Sequence, residues 1–171
     1  NGQDDATIFS GAVLVEYEDD IISSAPVFSS GSYEVTFDMA ILEGSSGYFN
    51  MGNSGNPNDW QWEFQVFFQE DGTAFTDISF ELFDFNFGVF PVAILIDIDN
   101  GSASLRIDGN CIETWDWTGN LGGVNFYGDI NTSSFIVDNF SICPTDVEIC
   151  RLGCTDAQAI NYDENATDDD G

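Results

Sequence analysis

The chain has 171 residues, 43% of them hydrophobic, and carries 31 acids against two bases, so the formal net charge is -29. With no Lys and no His, it cannot build Ser-His-Asp or Cys-His catalysis, His-ligated metals, Schiff bases or a P-loop. The charge makes nucleic acid and anionic membranes poor partners, and divalent cations favoured ones.

Read from the N-terminus, Thr7 to Phe9 and Val13 to Tyr17 are short strand candidates, followed by a turn-rich segment from Asp19 to Ser32. Tyr33, Val35, Phe37 and Met39 alternate with polar residues, the period of a half-buried strand. Tyr48 to Gly52 follows a Gly44-Ser-Ser-Gly47 turn, and Asn53 to Asp59 reads as loop. Trp60, Trp62, Phe64 and Val66 share one strand face. Asp71-Gly72 marks a hairpin, Ile78, Phe80 and Leu82 alternate as a further strand, and Phe83 to Phe90 reads as a buried crossing.

The stretch from Pro91 to Trp117 reads as a three-strand meander that organises the rest. Val92, Ile94, Ile96 and Ile98 alternate along its first strand. Asp99-Asn100-Gly101 and Asp108-Gly109-Asn110 supply turns in which Asn and Gly accept positive φ at low cost. Val124 to Tyr127 and Ser134 to Ile142 close the sheet, and no helix of ordinary length is expected before about Thr155. About a dozen short strands without helices between them predict an all-β antiparallel sandwich or barrel. Composition breaks near Cys143-Pro144. The division expected is a sandwich over 1–143 and, over 144–171, a linker and a small acidic unit with too little apolar content to fold without a metal or a disulfide. No run is apolar enough for membrane insertion.

Four cysteines suggest an oxidising compartment. The scatter of Cys111 and Cys143 argues against a zinc site with Cys150 and Cys154. Cys111 begins a meander strand and Cys143 ends the closing one, so a Cys111–Cys143 disulfide is expected. Cys150 and Cys154 are then left for each other or for a cysteine beyond Gly171. Asn131 and Asn165 open glycosylation sequons in form.

Two resemblances attach to particular residues. Ile98-Asp-Asn-Gly, Leu105-x-Ile-Asp-Gly, a strand with Trp, Leu121-Gly-Gly-Val-Asn-Phe-Tyr and Phe135-Ile-Val-Asp-Asn-Phe140 resemble the concanavalin A-like lectin/glucanase and laminin-G superfamily. That resemblance implies a jelly-roll β-sandwich. Gly153-Cys-Thr-Asp156, Ala159, Asn161-Tyr-Asp163, Asn165-Ala-Thr167 and Asp169-Asp-Gly171 resemble a GCTDxxAxNYDxxATxDDGSC repeat. Such repeats occur in Bacteroidetes surface proteins and gliding adhesins that leave by type IX secretion. Ile160 stands where the repeat often has Cys. The chain stops before the repeat's last Cys, as if cut inside a repeat.

The candidate sites are three. Asp163, Asn165, Thr167 and Asp169, with Asp168 and Asp170 between and after them, offer oxygens to Ca²⁺, against the alternative of a solvated acidic linker. Trp60, Trp62, Trp115, Trp117, Tyr48 and Tyr127 are candidates for a sugar-stacking platform. Trp60 and Trp62 continue into Phe64 and Val66, which favours core, whereas Trp115, Trp117 and Tyr127 are the better ligand-binding candidates. The Glu-x-Asp-x-x-Glu strand of the superfamily's glucanases has no counterpart here, so no enzyme is expected. The function expected is a structural or adhesive module of an extracellular, cell-surface protein, in which identical subunits or neighbouring repeats assemble as a fibre or filament. The alternative is a carbohydrate-binding module attached to an enzyme or adhesin, whose partner is a polysaccharide.

Overall fold

A computed structural model of the protein describes residues 7–9, 11–23, 26–53 and 61–169. Among the described residues thirteen strands run in the order β1 (Thr7–Phe9), β2 (Ala12–Glu16), β3 (Asp20–Ile22), β4 (Ser32–Ile41), β5 (Gly47–Gly52), β6 (Trp62–Phe68) and β7 (Thr73–Thr76). They continue with β8 (Phe83–Asp84), β9 (Gly88–Asp97), β10 (Ser102–Ile107), β11 (Asn110–Asp116), β12 (Gly123–Tyr127) and β13 (Ser134–Pro144). No helix occurs among the described residues.

These strands form two antiparallel sheets. One has seven strands in the order β1-β2-β13-β4-β9-β10-β11, the other six in the order β3-β12-β5-β6-β7-β8. The expected meander is β9-β10-β11, paired Ala103↔Ile96 on one side and Ala103↔Trp115 on the other. Its long partner is β4, in register along ten pairs from Ser32↔Asp97 to Ile41↔Gly88.

The core lies between the sheets, and its aromatic residues interlock across the gap. Phe37 of β4 meets Phe49 of β5 and Phe126 of β12 edge-on, at 5.1 and 5.0 Å between centroids. Trp115 of β11 stacks on Phe64 of β6 at 4.0 Å. Such geometries add about 0.5–1.5 kcal/mol each to the burial itself. At Gly47 the sheets come so close that a Cβ would stand 2.6 Å from Met39 Cε and 2.8 Å from Ile41 Cδ1.

Two expectations fail here. Ile78, Phe80 and Leu82 do not form a strand. They sit 40, 67 and 66% exposed in the connection from β7 to β8, and Phe80 has φ +58°. The alternating pattern reports phase only, and among the described residues no strand pairs with it. The disulfide joins Cys111 to Cys150, not Cys111 to Cys143. Three strands, β4, β9 and β10, separate β11 from β13. At about 4.8 Å per strand that puts Cys111 and Cys143 far beyond bonding distance. Cys143 and Cys154 are free thiols.

After β13 the described chain, 145–169, contains only isolated bridges, Leu152↔Asp168 and Cys154↔Tyr162. It lies against β10 and β11. Cys150, fully buried, donates its amide to Ser104 Oγ at 3.3 Å. Arg106 grips Asp168 through two bonds of 2.8 and 2.7 Å.

Candidate functional site

The outward face of the six-stranded sheet combines aromatic and amide side chains. On each of its central strands one phase enters the core: Phe49 and Met51 on β5, Phe64, Val66 and Phe68 on β6, Ala74 and Thr76 on β7, Val124 and Phe126 on β12. The opposite phase therefore points away from the core. Cross-strand register sets these residues in rows, with Asn125 opposite Asn50, Asn50 opposite Gln65, Tyr48 opposite Phe67, and Phe67 opposite Phe75.

One row is aromatic. Tyr127, Tyr48, Phe67 and Phe75 follow one another at 6.4, 4.9 and 4.8 Å between centroids, and Phe67 and Phe75 lie nearly parallel. Phe80, from the loop after β7, extends the row, 6.4 Å from Phe75. Tyr127, Phe67 and Phe75 are half-buried, and Tyr48 is buried. A groove of about 610 Å³ opens beside Phe67 and Phe75, bounded by Glu70, Asp71 and the Asp129–Thr132 loop.

The second row is polar and linked. Asn50 Nδ2 donates to the Tyr48 hydroxyl at 3.0 Å, which donates to Gln65 Oε1 at 2.6 Å. Gln65 Nε2 then donates to Asp77 Oδ2 at 2.9 Å. Burial, with the Asp129 and Asp77 charges adding to it, pushes the Tyr48 hydroxyl up to about 12, so it stays a donor at neutral pH. Asn50 and Asn125 are 1 and 8% exposed, and the Oδ1 atoms of both have no partner among the described residues. A buried acceptor without a donor costs about 1–3 kcal/mol. Farther along the face, Glu63 accepts from Asn53 Nδ2 at 2.9 Å and Thr118 Oγ1 at 3.0 Å.

The expected platform is therefore redistributed. Trp115 and Trp117 are core residues, 9 and 4% exposed, and Trp117 Nε1 is spent on Gly119 O at 2.7 Å, so neither indole offers a face to a ligand. Trp62, assigned to the core by its alternation with Phe64, is 60% exposed. The register shift opposite it, between Met51 and Gly52, breaks that alternation. Trp60 lies outside the described residues. Tyr127 and Tyr48 do come together, on the outward face. The sequence reading missed Phe67, Phe75 and the amide row. Their signal was the phase opposite to the core on β5, β6, β7 and β12, masked on β6 because both of its phases carry Phe.

The proposed calcium ligands occupy separate local contacts. Asp163 Oδ1 accepts from the Asn165 amide and its Nδ2 at 2.9 and 3.2 Å. Thr167 Oγ1 accepts from the Arg151 amide and donates to Asp168 Oδ2. Both Asp168 oxygens face Arg106, whose hydrogen bonds hold that carboxyl below the usual carboxylate range. Asp169 is exposed, and Asp170 lies outside the described residues. Asp168 also neighbours Cys111 and Cys150, but as a disulfide these offer no thiolate.

No protein-family profile matches the chain, and no match is found among curated proteins. Solved structures do match. Alginate lyase AlgAT5, from polysaccharide lyase family 7, superposes with a TM-score of 0.57 at 12% identity, over 80% of this chain and 79% of that one. Alginate lyase A1-II' gives 0.57 at 14% identity, over 81 and 82%. A sialidase gives 0.58 at 9% identity over 79% of this chain, which spans only 15% of the sialidase. The chain is a jelly-roll β-sandwich. Identities this low show the fold alone. The lyase matches overturn the ground for expecting no enzyme: that expectation rests on the missing glucanase motif, and the same fold carries alginate lyases.

Proposed function

We propose that the protein is a carbohydrate-binding module of an extracellular protein, with its binding site on the outward face of the six-stranded sheet. The observation that carries this reading is the half-buried rings Tyr127, Phe67 and Phe75, with the buried Tyr48 filling the row between them, beside a linked amide row. A sugar ring presents an apolar C–H face and a rim of hydroxyls. Aromatic rings match the first, and a few fixed amides and carboxylates match the second. The jelly-roll neighbours include proteins whose names specify alginate, a polysaccharide, which supports the same class of ligand. The disulfide suits an oxidising, extracellular setting. Adhesion, in this reading, is the consequence of glycan binding.

Titration calorimetry against a panel of soluble oligosaccharides tests it. At least one oligosaccharide should bind, and Phe75→Ala and Tyr127→Ala should each weaken it about tenfold, or about 1.4 kcal/mol. Trp62→Ala serves as the comparison on the same strand system but outside the row. Unchanged affinity in both row variants, with the fold intact, removes the site from this face.

A further inference from the structure

Resting on the carbohydrate reading, the geometry points to a narrower ligand: an uncharged, linear glycan laid across the strands, with Phe80 forming its outer subsite.

Charge decides the first part. The groove beside Phe67 and Phe75 is bounded by Glu70, Asp71 and Asp129, Asp77 ends the amide row, and Glu63 lies farther along the face. Neither base is there. Arg106 is on β10 of the opposite sheet, tied to Asp168, and Arg151 adjoins the disulfide on that same side. A uronate chain would bring one carboxylate per sugar into a groove of carboxylates. Low-dielectric walls and the converging acids strengthen that repulsion at short range, where salt screens least. Alginate is such a chain, so the ligand class departs from that named for the lyase neighbours.

The row's direction decides the second part. It runs perpendicular to the strands, from β12 through β5 and β6 to β7, at a spacing of about 4.8 Å per strand. Phe80 continues it beyond β7, stacked near Phe75. Phe80 is 67% exposed and holds φ +58°, a region that bulky residues rarely occupy. The loop is clamped in that shape. Glu113 of β11 accepts from Ser79 Oγ at 2.5 Å and from Thr76 Oγ1 at 2.9 Å, and the Phe80 amide bonds Thr76 O at 3.2 Å. An exposed phenyl held at a backbone cost, beside the last ring of the row, is a surface for a further sugar. A monosaccharide would leave it unused.

The experiment compares the full chain with Phe80→Gly. Glycine adopts φ +58° without steric cost, so this variant removes the ring while relaxing the loop. Titrations use neutral cello- and laminari-oligosaccharides, as di- and hexasaccharides, and oligoalginate of the hexasaccharide length, all in chelator. The expected results are tighter binding of a neutral hexasaccharide than of its disaccharide, and oligoalginate at least tenfold weaker at low salt. Phe80→Gly should weaken the hexasaccharide about fivefold or more while leaving the disaccharide and the melting temperature unchanged or the latter raised. Oligoalginate binding as tightly as the neutral hexasaccharide overturns the charge argument. Unchanged hexasaccharide affinity in Phe80→Gly overturns the subsite. If nothing in either class binds, the carbohydrate reading fails as well.

Discussion

Tyr48 shows how one side chain couples the fold to the face it presents. Its ring sits between Tyr127 and Phe67, while its hydroxyl bridges Asn50 and Gln65. Because its ionisation is raised from 10.0 to about 12, the unfolded chain loses this proton first as pH climbs. The folded state then holds more protons than the unfolded state, so stability falls between about pH 10 and pH 12, by roughly 2–3 kcal/mol at most. Denaturant titrations across that window should show the fall, and Tyr48→Phe should flatten it. The same variant at neutral pH should cost about 1–3 kcal/mol, because Asn50 Nδ2 loses its acceptor and Gln65 Oε1 its donor. An alkaline slope that persists in Tyr48→Phe assigns it to another tyrosine.

At the level of elements, a disulfide and an ion pair, Cys111–Cys150 and Arg106–Asp168, are the strongest side-chain ties between the tail and the sandwich among the described residues. The disulfide spans 39 residues, a loop for which removal costs about 2–5 kcal/mol. The ion pair is partly exposed and contributes about 1 kcal/mol or less. Cys150→Ser should therefore release the tail to protease far more than Asp168→Asn does, as read by limited proteolysis with mass spectrometry. Asp168 is held below its ordinary range by Arg106. Its contribution is therefore full above the unfolded carboxylate value and is lost as pH falls through the lowered one. In Cys150→Ser the tail should accordingly stay partly protected at neutral pH and lose that protection in acid. The calcium proposal belongs to the same assay: protection of Cys150→Ser by Ca²⁺ beyond that of NaCl at equal ionic strength supports an ion in the tail, and equal protection assigns the effect to screening.

These elements also show what the sequence could carry. The β9-β10-β11 meander was legible because its turns, Asp99-Asn100-Gly101 and Asp108-Gly109-Asn110, are local chemistry between clean alternations. The Cys111 partner was not, since it depends on which strand becomes the sheet edge, a non-local fact. Trp62 and Trp115 exchanged expected places for a related reason. Alternation orders a strand's two faces but does not say which one meets the other sheet: on β6 both faces carry aromatics and a bulge resets the phase beside Trp62, and on β11 Trp115 shares its face with Glu113.

Across the whole molecule, charge and fold work against each other. A net charge of -29 on 171 residues implies strong self-repulsion in a body whose radius of gyration is about 16 Å. Only one ion pair, Arg106–Asp168, offsets it among the described residues. At about 0.01 M salt the screening length is about 30 Å, longer than that radius, so nearly every acid feels every other. At physiological strength it is about 8 Å, and mostly neighbours interact. The unfolded chain spreads the same charges over a larger volume, so screening relieves the folded state more. The melting temperature should consequently rise by several degrees between low and physiological NaCl. The rise should be similar in Arg106→Gln, which removes the one pair that salt would weaken. A flat or falling curve would mean that the unfolded ensemble is as compact in charge as the folded one. The same screening gives a signature to the proposed binding face: neutral-glycan affinity should stay nearly constant across this salt range while any residual uronate affinity climbs. Salt should therefore separate fold stability, which it raises, from the proposed recognition through rings and amides, which it leaves alone.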